Sequence, residues 1–264
     1  MKKLALIKLG GGLITDKNKP YTAKPEIIRQ LVKEIKFCWG KGFRFVVSHG
    51  SGSFGHTSAA KYGTAEGLKK KEESVYGLAV VQQDAITINR IVNEIFLREG
   101  LPVLSFVPSS FTLSEDKNLI KIFVEPIVEA LKIDALPLVF GDVILDKKLG
   151  CCIYSGERTL DNLIRPLKEA GYSIGIVIHC GNTDGVYDKD GKTIPVITLK
   201  SFKNFAEVIN YSSSTDVTGG MLHKVEECLA AVKKGINSLI INGNIKGNLK
   251  KAIFGQKVKG TWIK

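Results

Sequence analysis

Glycine, serine and histidine are concentrated in one short run of the chain, His49-Gly-Ser-Gly-Ser-Phe-Gly-His56. The run directly follows the apolar residues 43–47, which are typical of a buried strand. Glycine tolerates positive φ and lets backbone N–H groups approach an anion closely. We therefore predict a phosphate-binding turn at the carboxyl end of this strand. Because glycine-rich turns also serve as plain connections, the prediction depends on partners elsewhere in the chain.

The two histidines of this run have different predicted roles. His49 continues the apolar strand, and we expect a strand-end residue that is hydrogen-bonded to nearby backbone. His56 follows the last glycine, where a ring N–H can point into the turn and bind a substrate oxygen. Only His56 is therefore a candidate for chemistry.

A second unit of strand and glycines lies near the amino terminus. The apolar run Leu4–Leu9 predicts a buried strand and leads directly into glycines 10–12. Lys8 interrupts the run, and a lysine there must reach either water or an anion at the strand end. With three glycines beside it, an anion contact is favoured over a solvated lysine. Lys17 follows in a polar loop, where charge usually serves solubility.

The second half of the chain holds two further candidate anion sites. The apolar residues 174–178 lead into the turn-rich residues 180–188, and parallel sheets bind ligands at such strand ends. Residues 212–220 precede a helical pattern, so the helix amides and the glycines there predict an anion site, with Lys224 on the first turns. Asp142, which follows another apolar strand, has either a structural or a functional role.

Strand patterns and helix patterns alternate along the chain, which is typical of βαβ crossovers and a parallel sheet. Residues 59–74 are polar and are predicted to be irregular. The predicted helices cover residues 25–39, 76–96, 160–167 and 221–232, with a further short helix near Pro126. The predicted strands cover residues 4–9, 43–48, 103–107, 136–140, 174–178, 239–241 and 258–263, with a hairpin near 115–121 and a ribbon over 142–154.

Composition places the chain among ordinary globular proteins. Its 264 residues, 44% of them hydrophobic, can bury the core of one large domain or of two associated lobes. Neither a signal peptide nor an apolar run of membrane-spanning length is found, so we expect a cytoplasmic protein. The five cysteines are scattered without a C-x-x-C spacing, and we expect free, mostly buried thiols.

The net charge of +12 raises the possibility of a nucleic-acid partner. Lys69, Lys70 and Lys71 form the only run of three basic residues, and two glutamates follow it. No basic stripe is interleaved with aromatic residues. The charge pattern therefore favours small polyanionic ligands over nucleic acid.

Several motifs together resemble the amino acid kinase superfamily in both order and spacing. They are Lys8-Leu-Gly-Gly11, Lys17, the run from His49 to His56, Gly141-Asp142, Ser155-Gly156, Thr183-Asp-Gly-Val-Tyr187 and Asp216-Val-Thr-Gly-Gly-Met-x-x-Lys224. Within the superfamily, His56, Pro108-Ser-Ser-Phe111 and Asn242-Gly-Asn244 resemble the isopentenyl phosphate kinases. The resemblance covers essentially the whole chain.

The resemblance implies an α/β fold, an open αβα sandwich with a mainly parallel central sheet. It implies one domain over residues 1–264, with an acceptor-binding lobe at about 1–150 and a nucleotide-binding lobe at about 151–264. The implied cofactors are ATP and Mg²⁺, and the implied reaction transfers the γ-phosphoryl group to isopentenyl phosphate, which gives isopentenyl diphosphate. A cytoplasmic homodimer with no nucleic-acid or membrane partner is also implied.

The resemblance also assigns residues by position. Those implied to hold the ATP phosphates are Lys8, Gly10, Gly11, Gly12 and Gly52. Those implied to bind the rest of the nucleotide are Asn182, Asp184, Gly219 and Lys224. Those implied to bind the acceptor phosphate are Ser51, Gly52, His56 and Gly156. The catalytic set would be Lys8, Lys17, His56 and Lys224, with Lys17 at the transferring group.

The chain departs from the family pattern at four positions. Gly12 stands where the family commonly has serine, and Ser51 stands where it has glycine. Glu157 and Asn182 each stand where it has aspartate. Ser51 bears on substrate orientation, while Glu157 and Asn182 bear on local geometry and nucleotide preference. None of the departures removes a charge that the reaction needs.

The charge of the acceptor determines the expected mechanism. A phosphate monoester is largely dianionic at neutral pH because its second pKa is about 6, so no strong general base is required. Repulsion between two polyanions is then the obstacle, and we expect lysines, glycine amides and Mg²⁺ to offset it. With no dense carboxylate cluster in the sequence, Mg²⁺ is expected to arrive on ATP, and no metal ligands are assigned.

Three other functions remain open at this point. A related kinase acting on another phosphate or phosphonate, as fosfomycin-type resistance kinases do, is the nearest alternative. A regulatory nucleotide-binding module is disfavoured by the presence of Lys8, Lys17 and Lys224. A nucleic-acid-binding protein is disfavoured by the scattered charge.

For the isoprenoid tail, the helix over 76–96 is the expected wall of an apolar slot.

Overall fold

The computed structural model of the chain describes residues 4–68, 71–205 and 220–264. In these residues the strands are β1 Leu4–Leu9, β2 Arg44–His49, β3 Val103–Ser105, β4 Thr112–Glu115, β5 Asn118–Ile122, β6 Leu136–Phe140, β7 Asp142–Asp146, β8 Gly150–Tyr154, β9 Ile174–Gly181, β10 Val196–Ile197, β11 Ser238–Asn242 and β12 Gly260–Ile263. The α-helices are α1 Gly11–Ile14, α2 Pro25–Trp39, α3 Gly52–Tyr62, α4 Lys71–Arg98, α5 Pro108–Phe111, α6 Glu125–Lys132, α7 Gly156–Glu169, α8 Gly220–Lys233 and α9 Asn248–Ile253.

The central sheet has the strand order β10-β12-β11-β9-β1-β2-β6-β3. Every neighbouring pair in it is parallel except β11 and β12. Parallel strands end at the same edge of a sheet, so the segments that follow β1, β2 and β9 meet at one edge. This strand order places both glycine-rich turns beside each other.

Alternating side chains of the sheet pack into two helical layers. On one face, Ile7, Val47 and Ile178 pack with α2, α4 and α9. On the other face, Leu6 and Val46 pack with α6 and α7, while α8 covers the sheet further along. The three layers confirm the predicted open αβα sandwich with a mainly parallel central sheet.

A smaller sheet with the order β5-β4-β7-β8 lies beside the central one. It contains the predicted hairpin, β4 and β5, and the predicted ribbon, β7 and β8. The buried Asp146 carboxylate connects the two, because it accepts hydrogen bonds from the backbone N–H groups of Lys117 and Leu149 and from the Ser114 hydroxyl. This carboxylate therefore holds the hairpin against the ribbon.

Two local predictions were wrong. The segment predicted to be irregular, residues 59–74, contains the end of α3, a 3₁₀ turn over Thr64–Glu66 and the start of α4. The inward side of α3 carries Gly55 and Ser58, so no apolar helical period marks it in the sequence. Strand β3 ends at Ser105 and is followed by α5, where a longer strand was expected.

Two further expectations concern the whole chain. The five cysteines are buried free thiols, which confirms the prediction. Across the described ranges, helices long and apolar enough to span a bilayer are absent.

Candidate active site

The glycine turns after β1 and β2 pack backbone against backbone. A Cβ atom added to Gly11 would lie 2.6 Å from the backbone nitrogen of Gly52, and one added to Gly50 would lie 2.8 Å from the backbone nitrogen of Gly11. Side chains at these positions would push the two turns apart. Gly52 also has a positive φ of 53°, which favours glycine. The glycines therefore create a surface of closely spaced backbone groups at the edge of the sheet.

Helix amino termini also lie at this edge. Gly52 begins α3 and Gly156 begins α7, where the Ser155 hydroxyl caps the helix by accepting from the Arg158 N–H at 3.1 Å. A Cβ on Gly156 would lie 2.7 Å from the carbonyl oxygen of His49, so α7 starts directly against the end of β2. Unpaired N–H groups at a helix start favour anions.

Lys8 contacts a carboxylate of the chain itself, and its contact with a ligand anion stays a prediction. The Lys8 ammonium donates to the Glu157 carboxylate, and both side chains are almost fully buried. Burial alone would raise the pKa of Glu157, but the charge and the hydrogen bond of Lys8 lower it to about 2. Glu157 is thus an ionised partner of Lys8 at neutral pH.

Lys224 lies close to the same pair. It is half-buried on α8, and its ammonium would lie 3.5 Å from a Cβ added to Gly181 at the end of β9. Burial and the charge of Lys8 lower the pKa of Lys224, while Glu157 opposes the shift. We call Lys8, Glu157 and Lys224 the charge cluster. Two ammonium groups and one carboxylate leave it one net positive charge, which favours an incoming anion.

Lys17 and His56, the other two predicted catalytic residues, are exposed. The Lys17 side chain passes over Gly12, and a Cβ on Gly12 would overlap it. Glycine at position 12, where the family commonly has serine, is therefore needed for this path of Lys17. His56 lies on α3, one turn after Gly52, so it projects from the helix that begins at the glycine turn.

His49 has the structural role that was expected. Its ring is fully buried, with Nδ1 3.1 Å from the carbonyl oxygen of Gly50 and Nε2 3.1 Å from the amide nitrogen of Asn89. Since a carbonyl can only accept, Nδ1 carries the proton. Burial lowers the pKa of His49 to about 4, so it stays neutral.

The predicted nucleotide residues Asn182 and Asp184 lie in a polar network at the ends of β9 and β11. The Asn182 amide donates to the carbonyl oxygen of Gly12 at 2.9 Å and accepts from Asn244 at 3.1 Å. Asp184 accepts from Asn242 at 3.0 Å and pairs with Lys259 at 2.9 Å. Asparagine at 182 thus connects the glycine turn of β1 to the segment that follows β11. Gly219 lies outside the described residues.

Acidic residues near the site form no obvious metal centre. Within the described part of the chain, no group of three or more histidine, cysteine, aspartate or glutamate side chains could hold a metal ion. The Asp142 carboxylate is buried and accepts from the backbone N–H groups of Ser109 at 3.0 Å and Val143 at 2.8 Å. These bonds favour the structural alternative for Asp142.

A mostly apolar cavity of about 240 Å³ lies between α4 and β7. Its lining consists of Val75, Leu78, Ala79, Gln82, Ser109, Val143 and Leu145. Helix α4 packs along α3, since a Cβ on Gly77 would meet the Tyr62 side chain and the rings of Tyr62 and Tyr76 are in edge contact. The cavity is therefore lined by α4, the helix that packs along the one carrying His56. The helix that was expected to line an apolar slot contributes Leu78, Ala79 and Gln82 to this lining, whereas Val143 and Leu145 were not indicated by the sequence.

Comparisons with known proteins agree with this geometry. The family model of the amino acid kinase family matches residues 3–242. The isopentenyl phosphate kinase of Methanothermobacter thermautotrophicus is 30% identical over 270 residues, which covers 98% of each chain. That of Methanocaldococcus jannaschii is 31% identical over 267 residues, again covering 98% of each chain.

The fold comparison gives the same result. A crystal structure of isopentenyl phosphate kinase superposes with a TM-score of 0.82 and 27% identity, over 98% of this chain and 100% of that chain. The chain therefore belongs to the amino acid kinase family, with isopentenyl phosphate kinases among its full-length relatives.

Proposed function

We propose that this protein transfers the γ-phosphoryl group of ATP to isopentenyl phosphate, giving isopentenyl diphosphate. The observation that carries the proposal is the charge cluster, in which the buried Lys8–Glu157 pair and the half-buried Lys224 lie next to the glycine turns and the amino terminus of α7. The full-length similarity to isopentenyl phosphate kinases supports this choice of acceptor.

The ATP phosphates are proposed to bind over the first glycine turn. Because Gly10, Gly11 and Gly52 carry no side chains, these turns would present backbone groups to a phosphate, and the Lys8 ammonium lies 3.8 Å from a Cβ added to the adjacent Gly50. Asn182, Asp184 and Gly219 are proposed to hold the rest of the nucleotide, as the family resemblance implies. Mg²⁺ is proposed to be bound by the ATP phosphates and water, since the described residues supply no cluster of carboxylates for it.

Electrostatic positioning is the main task of the proposed mechanism. The acceptor monoester is largely dianionic at neutral pH, so its oxygen is already a nucleophile and needs no strong base. Lys8 and Lys224 would offset the repulsion from the buried side, and Lys17 would reach the transferring group from the exposed side. Glu157 would keep the Lys8 ammonium in place before ATP binds, because the two groups are paired.

The acceptor is proposed to bind at the start of α3 and α7. Ser51, Gly52 and Gly156 would hold its phosphate with backbone and hydroxyl groups. His56 would donate to the same phosphate, which would explain a selection for phosphorylated acceptors. The apolar cavity between α4 and β7 would take the tail, since about 150 Å³ is enough for a ligand as large as benzene and this cavity measures about 240 Å³.

A coupled ATP assay over a panel of acceptors tests the proposal. The panel would hold isopentenyl phosphate, longer prenyl monophosphates, small alkyl phosphates and a phosphonate antibiotic. We expect the highest kcat/KM with isopentenyl phosphate. Preference for the phosphonate would instead support the fosfomycin-kinase alternative, and ATP binding without turnover on any acceptor would favour a regulatory module.

Expectations about assembly and location, the two lobes, and nucleic-acid binding are also proposals. We propose that the protein is cytoplasmic. We also propose that it is a homodimer, which light scattering on the purified protein would test. We propose that residues 1–150 bind the acceptor and residues 151–264 bind the nucleotide, which differential protection from hydrogen exchange by each ligand would test. Binding to nucleic acid is not expected, and its absence at low salt would support the small-molecule assignment.

A further inference from the structure

His179 is a buried histidine that the proposed mechanism does not use. It lies on β9, where its backbone partners are Lys8 on β1 and Ile240 on β11. Side chains at paired positions of neighbouring strands share a face, so the imidazole lies on the same face of the sheet as Lys8. Only 4% of the residue is exposed, and neither ring nitrogen has a hydrogen-bond partner.

An imidazole without partners is unusual in a protein interior. A neutral ring carries one N–H donor and one acceptor nitrogen, and buried polar atoms nearly always find a partner. A pair of unsatisfied nitrogens therefore calls for an explanation, such as a partner that becomes available in another state of the protein.

The charged groups that act on His179 are those of the charge cluster. Glu157 on α7, Lys8 on β1 and Lys224 on α8 all influence the pKa of His179, which burial lowers to about 3. The ring is therefore neutral and keeps one N–H at working pH. On the β11 side its neighbour is the apolar Ile240, and the Cys228 thiol, which belongs to the same core cluster as Ile240, stays neutral because burial raises its pKa.

We propose that His179 is a positioning residue whose ring N–H donates to the Glu157 carboxylate when Lys8 turns from Glu157 to the ATP phosphates. This inference rests on the proposed function only in that Lys8 must bind the nucleotide. In the structure, Lys8 donates to Glu157. Once the ammonium is drawn towards phosphate, the buried carboxylate loses its closest donor, and a replacement on the same face keeps it ionised and in place.

The inference gives His179 a state-dependent role. Before nucleotide binds, the ring has no partner, which destabilises this state relative to one in which it donates. After Lys8 engages phosphate, the same ring satisfies Glu157. His179 therefore favours the arrangement in which Lys8 faces the nucleotide, and its loss should reduce kcat more than it raises the KM of the acceptor.

Three substitutions test the donor. His179→Leu removes both nitrogens at similar size, His179→Asn places an amide near Nδ1, and His179→Gln places one near Nε2. Loss of one hydrogen bond to a charged group corresponds to about a 10- to 100-fold fall in kcat, which we expect for the leucine variant. One amide variant should recover most of the rate. Ile240→Val, the neighbouring core residue, is the control for packing and should retain the wild-type rate.

The pH profile separates positioning from packing. In His179→Leu, the acidic limb of kcat should move to higher pH, because Glu157 accepts a proton more readily without its donor. Damaged packing would lower kcat without moving the limb. A leucine variant with wild-type kcat and pH profile would overturn the inference, and so would folded amide variants that are both as slow as the leucine variant.

A spectroscopic measurement keeps the inference testable if a variant fails to fold. The wild-type chain has four histidines, so ¹⁵N shifts of the imidazole nitrogens can be followed individually. A non-hydrolysable ATP analogue, added without acceptor, should shift the His179 N–H nitrogen in the wild type but not in Glu157→Leu, which has no acceptor atom at this position. Unchanged nitrogens in the wild type at saturating analogue would overturn the inference. If isopentenyl phosphate is not the acceptor, turnover with it would be absent, but the ¹⁵N shift of His179 would still appear.

Discussion

The cationic residues of the candidate site lie in two different environments. Lys8 is buried and paired with the Glu157 carboxylate, and the half-buried Lys224 lies close enough to both for their charges to act on it. Lys17 and His56 project from an exposed loop and an exposed helix face. The buried set is arranged by the fold before any ligand binds, whereas the exposed set can adjust to the ligand.

This difference separates stability from turnover. Removing one member of a buried ion pair leaves an uncompensated charge and costs about 3–5 kcal/mol. Exposed side chains contribute little to stability, about 0–1 kcal/mol for a surface pair. Substitutions in the buried set should therefore affect folding and rate together, and substitutions in the exposed set should affect the rate alone.

The largest effect is expected from Lys8→Met. It should lower kcat by about 10²- to 10³-fold, because a preorganised charge at the phosphates is lost. It should also lower the free energy of unfolding by about 3 kcal/mol, because Glu157 stays buried without its partner. The coupled assay and denaturant unfolding measure the two effects.

A double variant separates the two effects. Lys8→Met with Glu157→Leu removes both charges and should recover most of the free energy of unfolding but none of the rate. If the single variant kept full stability, the pair would not be the buried electrostatic unit described here.

His56→Ala tests the exposed set and should give the next largest effect. We expect a fall in kcat of about 100-fold with isopentenyl phosphate, because the acceptor phosphate loses a donor. The affinity for ATP and the melting temperature should stay unchanged, since the side chain is exposed. His223→Ala, another exposed histidine, is the matched control. Retained activity in His56→Ala would exclude the assigned role.

A third prediction addresses the apolar cavity. Ala79→Leu adds bulk to its lining and should raise the KM for isopentenyl phosphate by about tenfold, in the range that one or two methylene groups contribute in a pocket. The KM for ATP should not change. Glu94→Leu, an exposed position further along α4, is the control for a leucine on this helix. Equal effects on both substrates would place the tail elsewhere.

Local patterns in the sequence predicted the parts of the site that depend on neighbouring residues. A strand followed by glycines predicts a turn, and the helical spacing of Ile28, Leu31 and Ile35 predicts α2. The parallel sheet then follows from the alternation of strand and helix patterns, and this sheet brings the glycine turns together. Lys8 was predictable as an anion contact because lysine is conspicuous in an apolar strand.

Contacts between distant segments were not predictable in the same way. Glu157 pairs with Lys8 across 149 positions of sequence, and nothing in its local pattern separates it from other glutamates at a helix start. His179 follows an apolar run without any signal that its strand lies beside Lys8. The cavity depends on how α4 packs against β7, which side-chain periodicity does not specify.

The smallest effect concerns a buried carboxylate outside the charge cluster. Glu157 is satisfied by a lysine, whereas Asp146 is satisfied by backbone N–H groups and the Ser114 hydroxyl. Burial alone would raise the pKa of Asp146, but the N–H donors of Leu149 and Lys117 lower it well below its ordinary range. Replacement by asparagine keeps one acceptor oxygen and turns the other into an NH₂ donor that faces other donors.

Asp146→Asn should therefore lower the free energy of unfolding by about 1–2 kcal/mol at neutral pH and leave kcat within twofold, because the smaller sheet that carries Asp146 contains no member of the charge cluster. A depressed pKa stabilises the fold above the unfolded value of about 3.9, and this contribution is lost as the pH falls towards the folded value. Unfolding of both proteins from pH 7 to pH 3 should show their difference shrinking below about pH 4. A constant difference would mean that Asp146 acts through packing, whereas a difference that shrinks with pH would show that neutral donors alone can hold a buried charge.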